Sequence, residues 1–123
     1  MKLRFRNNSL RLRVNQREVE GLASGALLEE QVLFPGDGRI SYTLQSSSAA
    51  APEASFRHGV ISVLAPQQQV DEWASSGSIG MYFDFPANGT SLKVAIEKDL
   101  ECIDGPPEEQ DANAFPRGES KNC

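Results

Sequence analysis

The chain has 123 residues, 39% hydrophobic and 24% charged, with a formal net charge of −5. That is enough apolar residue for one globular core, and it excludes a disordered or collagen-like polypeptide. No apolar run approaches the ~18 residues of a bilayer-spanning helix; a cytoplasmic protein with no membrane partner is expected.

The opening MKLRFRNNSLRLRV alternates polar and apolar residues and lacks the continuous apolar block of a signal peptide. Its period of two predicts a hairpin, with Leu3 and Phe5 facing Leu10, Leu12 and Val14 across a tight turn at Asn7-Asn8. A short helix follows. Asn15 is its N-cap, with Glu18 at capping-box spacing, and Val19 and Leu22 form the apolar face. Gly25 is a suitable stop. Two further strands, Glu30–Phe34 and Arg39–Leu44, flank LFPGDG.

The same order then recurs. Shifted by 51, RFRNNSLRLRVNQREVEGLAS lies over SFRHGVISVLAPQQQVDEWAS. Phe5, Arg6, Gln16, Val19 and Ala23-Ser24 meet identical residues, and the offset also lays Phe34-Pro35 on Phe85-Pro86 and Gly38 on Gly89. One extra residue is expected near Ser91, after which Leu92, Val94 and Ile96 match Ile40, Tyr42 and Leu44. His58-Gly59 replaces the Asn7-Asn8 turn. Pro66 opens the second helix, whose face is Val70, Trp73 and Ala74, and Gly77 ends it. Met81–Phe85 and Leu92–Glu97 close the unit around DFPANG. LFPGDG and DFPANG are thus expected to be one hairpin turn used twice, with Gly38 and Gly89 at positive φ and both phenylalanines inward.

The predicted fold is α+β: a ββαββ unit duplicated about a pseudo-two-fold axis, with about eight strands and two short helices, as a sandwich or a partly closed barrel. One domain spans 1–123, with repeat one at 2–44, a small polar linker at 45–54, repeat two at 55–97 and an acidic irregular tail at 98–123.

The charge is unevenly spread. Residues 1–17 hold Lys2, Arg4, Arg6, Arg11, Arg13 and Arg17 and no acid, whereas residues 97–123 hold eight acids and three bases. With the turn at Asn7-Asn8, Arg4 falls opposite Arg11 and Lys2 opposite Arg13, all on the face away from the apolar residues. Like charges directly opposite oppose sheet formation. The duplicate carries Ser55, Ser62, Glu53 and Leu64 at those places, so the fold does not demand the charges. Three compensations are open beside a solvated face with nothing bound: the acidic tail, a small anion, or nucleic acid. The absence of an aromatic among the arginines weighs against nucleic acid.

Other chemistry has little support. His58 reads as a turn residue. Cys102 lies among Asp99, Glu101 and Asp104, which disfavour a thiolate. Glu97, Asp99 and Glu101 share one side of an extended segment and are expected to face solvent or the basic hairpin. No cysteine or histidine spacing suits zinc, and no phosphate loop or catalytic triad motif is present. No catalytic residue, metal or cofactor is therefore assigned. In the tail, Phe115 is the one large apolar residue after Ile103, and Phe115-Pro116 is expected to pack back on the domain.

KLRFRNNSLRLRVNQREVEGL, FPGDG, IEKDLEC and the acidic tail with AFPRG together resemble a family of short bacterial proteins of unknown function. Its members open with an "NSLRLR" hairpin and close with "EKD-x-x-C" and an "FP" tail. The resemblance spans nearly the whole chain. It departs at Leu100, where the family pattern has an aromatic, and at Arg117-Gly118, where it has Asn-Pro. It implies a stand-alone domain and brings no site residue with it.

The function expected is a small non-catalytic interaction or structural module, meeting a protein partner or a second copy through an edge strand. The alternative is an anion-binding or nucleic-acid-binding protein using Arg4, Arg6, Arg11 and Arg13, with a small anion the better fit.

Overall fold

In the computed structural model the described residues are 1–100 and 111–116. The first hairpin is β1 (Lys2–Arg6) and β2 (Ser9–Val14), followed by α1 (Gln16–Ala23), β3 (Leu28–Leu33) and β4 (Arg39–Ser47). The second unit repeats the order: β5 (Glu53–Arg57), β6 (Val60–Pro66), α2 (Gln67–Ser75), β7 (Gly80–Ala87) and β8 (Thr90–Lys98). β4 and β5 both reach into the polar 45–54 stretch, leaving residues 48–52 between them.

The units are interleaved rather than placed side by side. One sheet has the order β1-β2-β8-β7 and the other β3-β4-β6-β5, so each is built from one hairpin of either unit. The seams are parallel, β2 with β8 and β4 with β6. Their registers are related by the repeat. Ser9 faces Lys93, and its equivalents Val60 and Ser41 face each other. The Lys93 amide donates to Asn8 O, as the Ser41 amide does to Gly59 O. Both sheets are open four-stranded sheets and no barrel closes.

Alternation places Leu10, Leu12 and Val14 of β2 beside Val94 and Ile96 of β8, and Leu44 of β4 beside Ile61, Val63 and Ala65 of β6. With Val19 and Leu22 of α1 and Val70 and Trp73 of α2, these form one buried cluster. Neither unit could bury such a face alone, which is the physical reason for the exchange of hairpins. α1 begins with the expected capping box: the Glu18 amide donates to Asn15 Oδ1 and Glu18 Oε1 accepts from the Asn15 amide. It ends in a Schellman arrangement, Ala26 N to Gly21 O and Gly25 N to Leu22 O, with Gly25 at φ 91°. α2 differs at both ends. Pro66 gives it no side-chain cap, and Ser76 turns extended directly after it, so Gly77 is not left-handed.

The Phe-Pro turns are not one turn. Ala87 pairs with Thr90 around a two-residue reversal in which Asn88 and Gly89 both have positive φ. Leu33 pairs with Arg39, leaving a five-residue loop in which Gly36, not Gly38, is left-handed. Ladder registers make Phe85 equivalent to Val32 and Pro86 to Leu33. Two residues are inserted between α2 and β7 and one is lost at the turn, which yields the net shift of one seen beyond Ser91. Phe85 packs against the core from within β7. Phe34 lies beyond the end of β3 and is 55% exposed, so the expected inward phenylalanine is corrected there.

Candidate functional site

The first hairpin has the expected register, Lys2 opposite Arg13 and Arg4 opposite Arg11, with Arg6 opposite Ser9. Parallel pairing with β8 then extends these rows across the sheet. Arg4, Arg11, Ala95 and Tyr82 form one row on the outer face; Arg6, Ser9, Lys93 and Asp84 form the next; Lys2, Arg13, Glu97 and Gly80 form the third. Arg4, Arg6, Arg11, Lys93 and Tyr82 line a depression of about 410 Å³ on this face. Arg13 lies one row away and does not line it.

Two carboxylates, Glu97 in β8 and Asp99 just beyond its end, answer part of the positive charge. Glu97 Oε1 is 2.9 Å from Arg11 Nε and 3.9 Å from Arg13 Nε. Asp99, which is buried, is 2.8 Å from Lys2 Nζ. These acids therefore face the basic hairpin, as the alternation suggested; Glu101 lies outside the described residues. Lys93 and Asp84 approach to 3.6 Å, both exposed, a contact of little energetic weight. Among the described residues neither Arg4 nor Arg6 has an ion pair or a side-chain hydrogen bond. These two guanidiniums are the surplus.

Tyr82 is fixed on the same face. Its hydroxyl donates to Glu97 Oε2 at 2.8 Å, so Glu97 anchors both Tyr82 and Arg11. That hydrogen bond, with desolvation and the carboxylate's charge behind it, raises the Tyr82 pKa above its ordinary value. The ring lies over Gly80: a Cβ there would sit 2.7 Å from Tyr82 Oη and 2.9 Å from Glu97 Cγ. Tyr82 is nonetheless 63% exposed. Its presence removes the objection that no aromatic accompanies the arginines. Neither Tyr82 nor Lys93 was identifiable as part of the site from the sequence, because the parallel β2–β8 seam between repeats is what brings them to the basic hairpin. The alternation of β7 and β8 already put both on an outer face; it did not say whose.

The later described part of the tail, residues 111–116, docks elsewhere. The Gln16 amide donates to Asn113 O at 2.9 Å, and the Phe115 amide to Asp99 O at 2.7 Å. Phe115 pairs with Leu100 in a β-bridge and packs against the core, as expected, while Pro116 is exposed. Asp111 accepts from Asn15 Nδ2 at 2.9 Å, which with the Asn113 amide lowers its pKa. This acid is thus committed to the start of α1 and not to Arg4 or Arg6. Glu108, Glu109 and both cysteines lie outside the described residues.

The remaining polar features have structural accounts. His58 is at a turn tip with φ 52°, the same value as Asn7 at the equivalent place. Lys98, buried beside Asp99, donates to Ser76 O at 2.8 Å, and its Nζ lies 5.7 Å from the centroids of both Trp73 and Phe115. Burial lowers its pKa. Among the described residues no three potential ligands gather into a metal site, and no helix is long and apolar enough to cross a membrane.

Residues 1–119 match the family of unknown function DUF7009, and the chain belongs to that family. No curated protein and no solved structure matches it significantly.

Proposed function

We propose that the protein is a non-catalytic binding domain and that the outer face of the β1-β2-β8-β7 sheet is its anion-binding surface. Arg4, Arg6 and Arg11, with Lys93 joining them, are the binding residues; Arg13 acts through Glu97, which it helps to neutralise. The observation that carries this reading is the pair of exposed guanidiniums, Arg4 and Arg6, which have no ion-pair partner among the described residues and line a depression of about 410 Å³. Its support is the other sheet. The equivalents of Arg4, Arg11 and Lys93 are Ser55, Ser62 and Ser41. The same architecture is thus built there without those three charges; Arg6 alone of the four has a charged equivalent, Arg57.

Inorganic pyrophosphate tests the proposal. A ligand that binds only the folded state raises the melting temperature by mass action. Pyrophosphate at millimolar concentration is expected to raise it at constant ionic strength, and Arg4→Ser/Arg6→Ser to abolish the shift. An equal shift in that variant, or none in the wild type, would refute the surface as an anion site.

A further inference from the structure

The anion reading leaves Tyr82 without a purpose, and its setting is a built one. Gly80 removes the side chain that would stand beneath the ring, and Glu97 holds the hydroxyl at 2.8 Å. The ring is laid along the sheet with most of its surface open to solvent. At the equivalent place in the other sheet the residue is Glu29, so the fold does not require an aromatic there. An exposed π-face held in this way offers stacking to a planar ring, and the adjacent Arg11, fixed by the same carboxylate, offers positive charge beside it.

We infer that the ligand of this face is a free nucleotide, its base stacked on Tyr82 and its phosphates on Arg4, Arg6 and Lys93. This rests on the anion reading above. Geometry sets the size. Arg4 and Tyr82 end the same four-strand row, three interstrand steps apart, so their backbones are separated by roughly 14 Å. An extended nucleoside diphosphate, met by inward-leaning arginine side chains, bridges that span. A long nucleic-acid strand is the poorer fit: one aromatic gives one stacking platform, Asp84 and Glu97 interrupt the positive surface, and the chain's net charge is −5.

Titration calorimetry with ADP and with inorganic pyrophosphate separates the two readings, because both carry a diphosphate and only ADP carries a base. ADP is expected to bind about tenfold more tightly than pyrophosphate, the scale of one stacked base. Tyr82→Ala should remove the preference for ADP over pyrophosphate, while Tyr82→Phe keeps most of it. Equal affinity for the two ligands in the wild type would overturn the nucleotide inference and leave the anion site standing. Binding of neither up to millimolar concentration would overturn both. Octathymidylate binding far more tightly than ADP would overturn the choice of a free nucleotide.

Discussion

On the outer face of β1 and β2 stand Arg4, Arg6 and Arg11. On β5 and β6, in the equivalent places, stand Ser55, Arg57 and Ser62. Across the parallel seams Tyr82 and Lys93 correspond to Glu29 and Ser41. The inner faces, by contrast, agree: Leu12 and Val63, Ile96 and Leu44 are all fully buried in one cluster. Duplication supplies an internal control. What both halves bury belongs to folding; a surface charge that one half alone carries, as at Arg4 and Arg11, is free to serve something else. Four measurements bear on this division, one of them on the shared part and three on the parts that differ.

The largest effect is expected from the shared part. Ile96→Ala and Leu44→Ala remove equivalent fully buried side chains from the central strands of the two sheets. Each is expected to cost about 2–5 kcal/mol, read as a shift in urea midpoint. Similar costs would confirm that both sheets share one cooperative core. A loss below about 1 kcal/mol at one of them would mean that its sheet can collapse around the gap and that the halves are not equivalent.

Next comes the start of α1, where the halves differ in capping. Asn15→Ala removes both the capping box and the partner of Asp111, and is expected to cost about 1 kcal/mol. The pH dependence has a definite sign. The folded-state pKa of Asp111 is depressed, first by the Asn15 hydrogen bond and then by the Asn113 amide. Its contribution is therefore fully present above the unfolded carboxyl value of about 4 and is lost as pH falls through the lower folded value. The gap between wild type and Asn15→Ala should shrink between pH 7 and pH 3. An unchanged gap would assign the whole effect to the cap.

The core and the helix cap were legible because they are local. Leu10, Leu12 and Val14 show their period of two, and Asn15 with Glu18 is a four-residue pattern. The repeat was legible from the phase of its apolar residues, even though its gaps were misplaced. Phe34-Pro35 and Phe85-Pro86 coincide at an offset of 51, while the ladders align β3 and β7 at an offset of 53. A coincidence of turn-forming residues outweighed a weaker strand pattern. Half of the site was legible too, since hairpin register alone puts Arg4 opposite Arg11. The other half depends on β2 pairing with β8, a contact between residues more than 80 positions apart. Nothing in an alternating pattern identifies its neighbour, so Tyr82 and Lys93 stayed hidden, and Glu97 was expected only to face solvent or the basic hairpin, without its partner Arg11.

Gly80 offers a sharper test of the differing part at little cost to the fold. A methyl group there meets Tyr82 Oη, Cζ and Glu97 Cγ, all of them movable side-chain atoms, and the backbone φ is not left-handed. Gly80→Ala should change stability by less than about 1 kcal/mol while displacing the ring. The chain has two tyrosines, so in a Tyr42→Phe background a spectrophotometric titration follows Tyr82 alone. Its pKa should drop toward the ordinary tyrosine value as the Glu97 hydrogen bond is lost. A pKa that stays raised would show that the ring does not depend on Gly80 for its place.

The smallest effect is the most telling one. Arg4 and Arg11 are direct cross-strand partners, a like-charge pair that opposes pairing of β1 with β2. Glu97 relieves Arg11, and among the described residues no carboxylate answers Arg4. If Arg4 is kept for binding, then Arg4→Ser, which copies Ser55 of the other sheet, should raise stability by a few tenths of a kcal/mol at low salt. The gain should fade near 1 M salt, where screening acts within about 3 Å. The converse pair, Ser55→Arg with Ser62→Arg, should lower stability by more than the two single changes added together, and that excess should fade in salt as well. A clear loss on Arg4→Ser would instead mean that the arginine stem packs on the sheet. The asymmetry between the faces would then belong to folding after all.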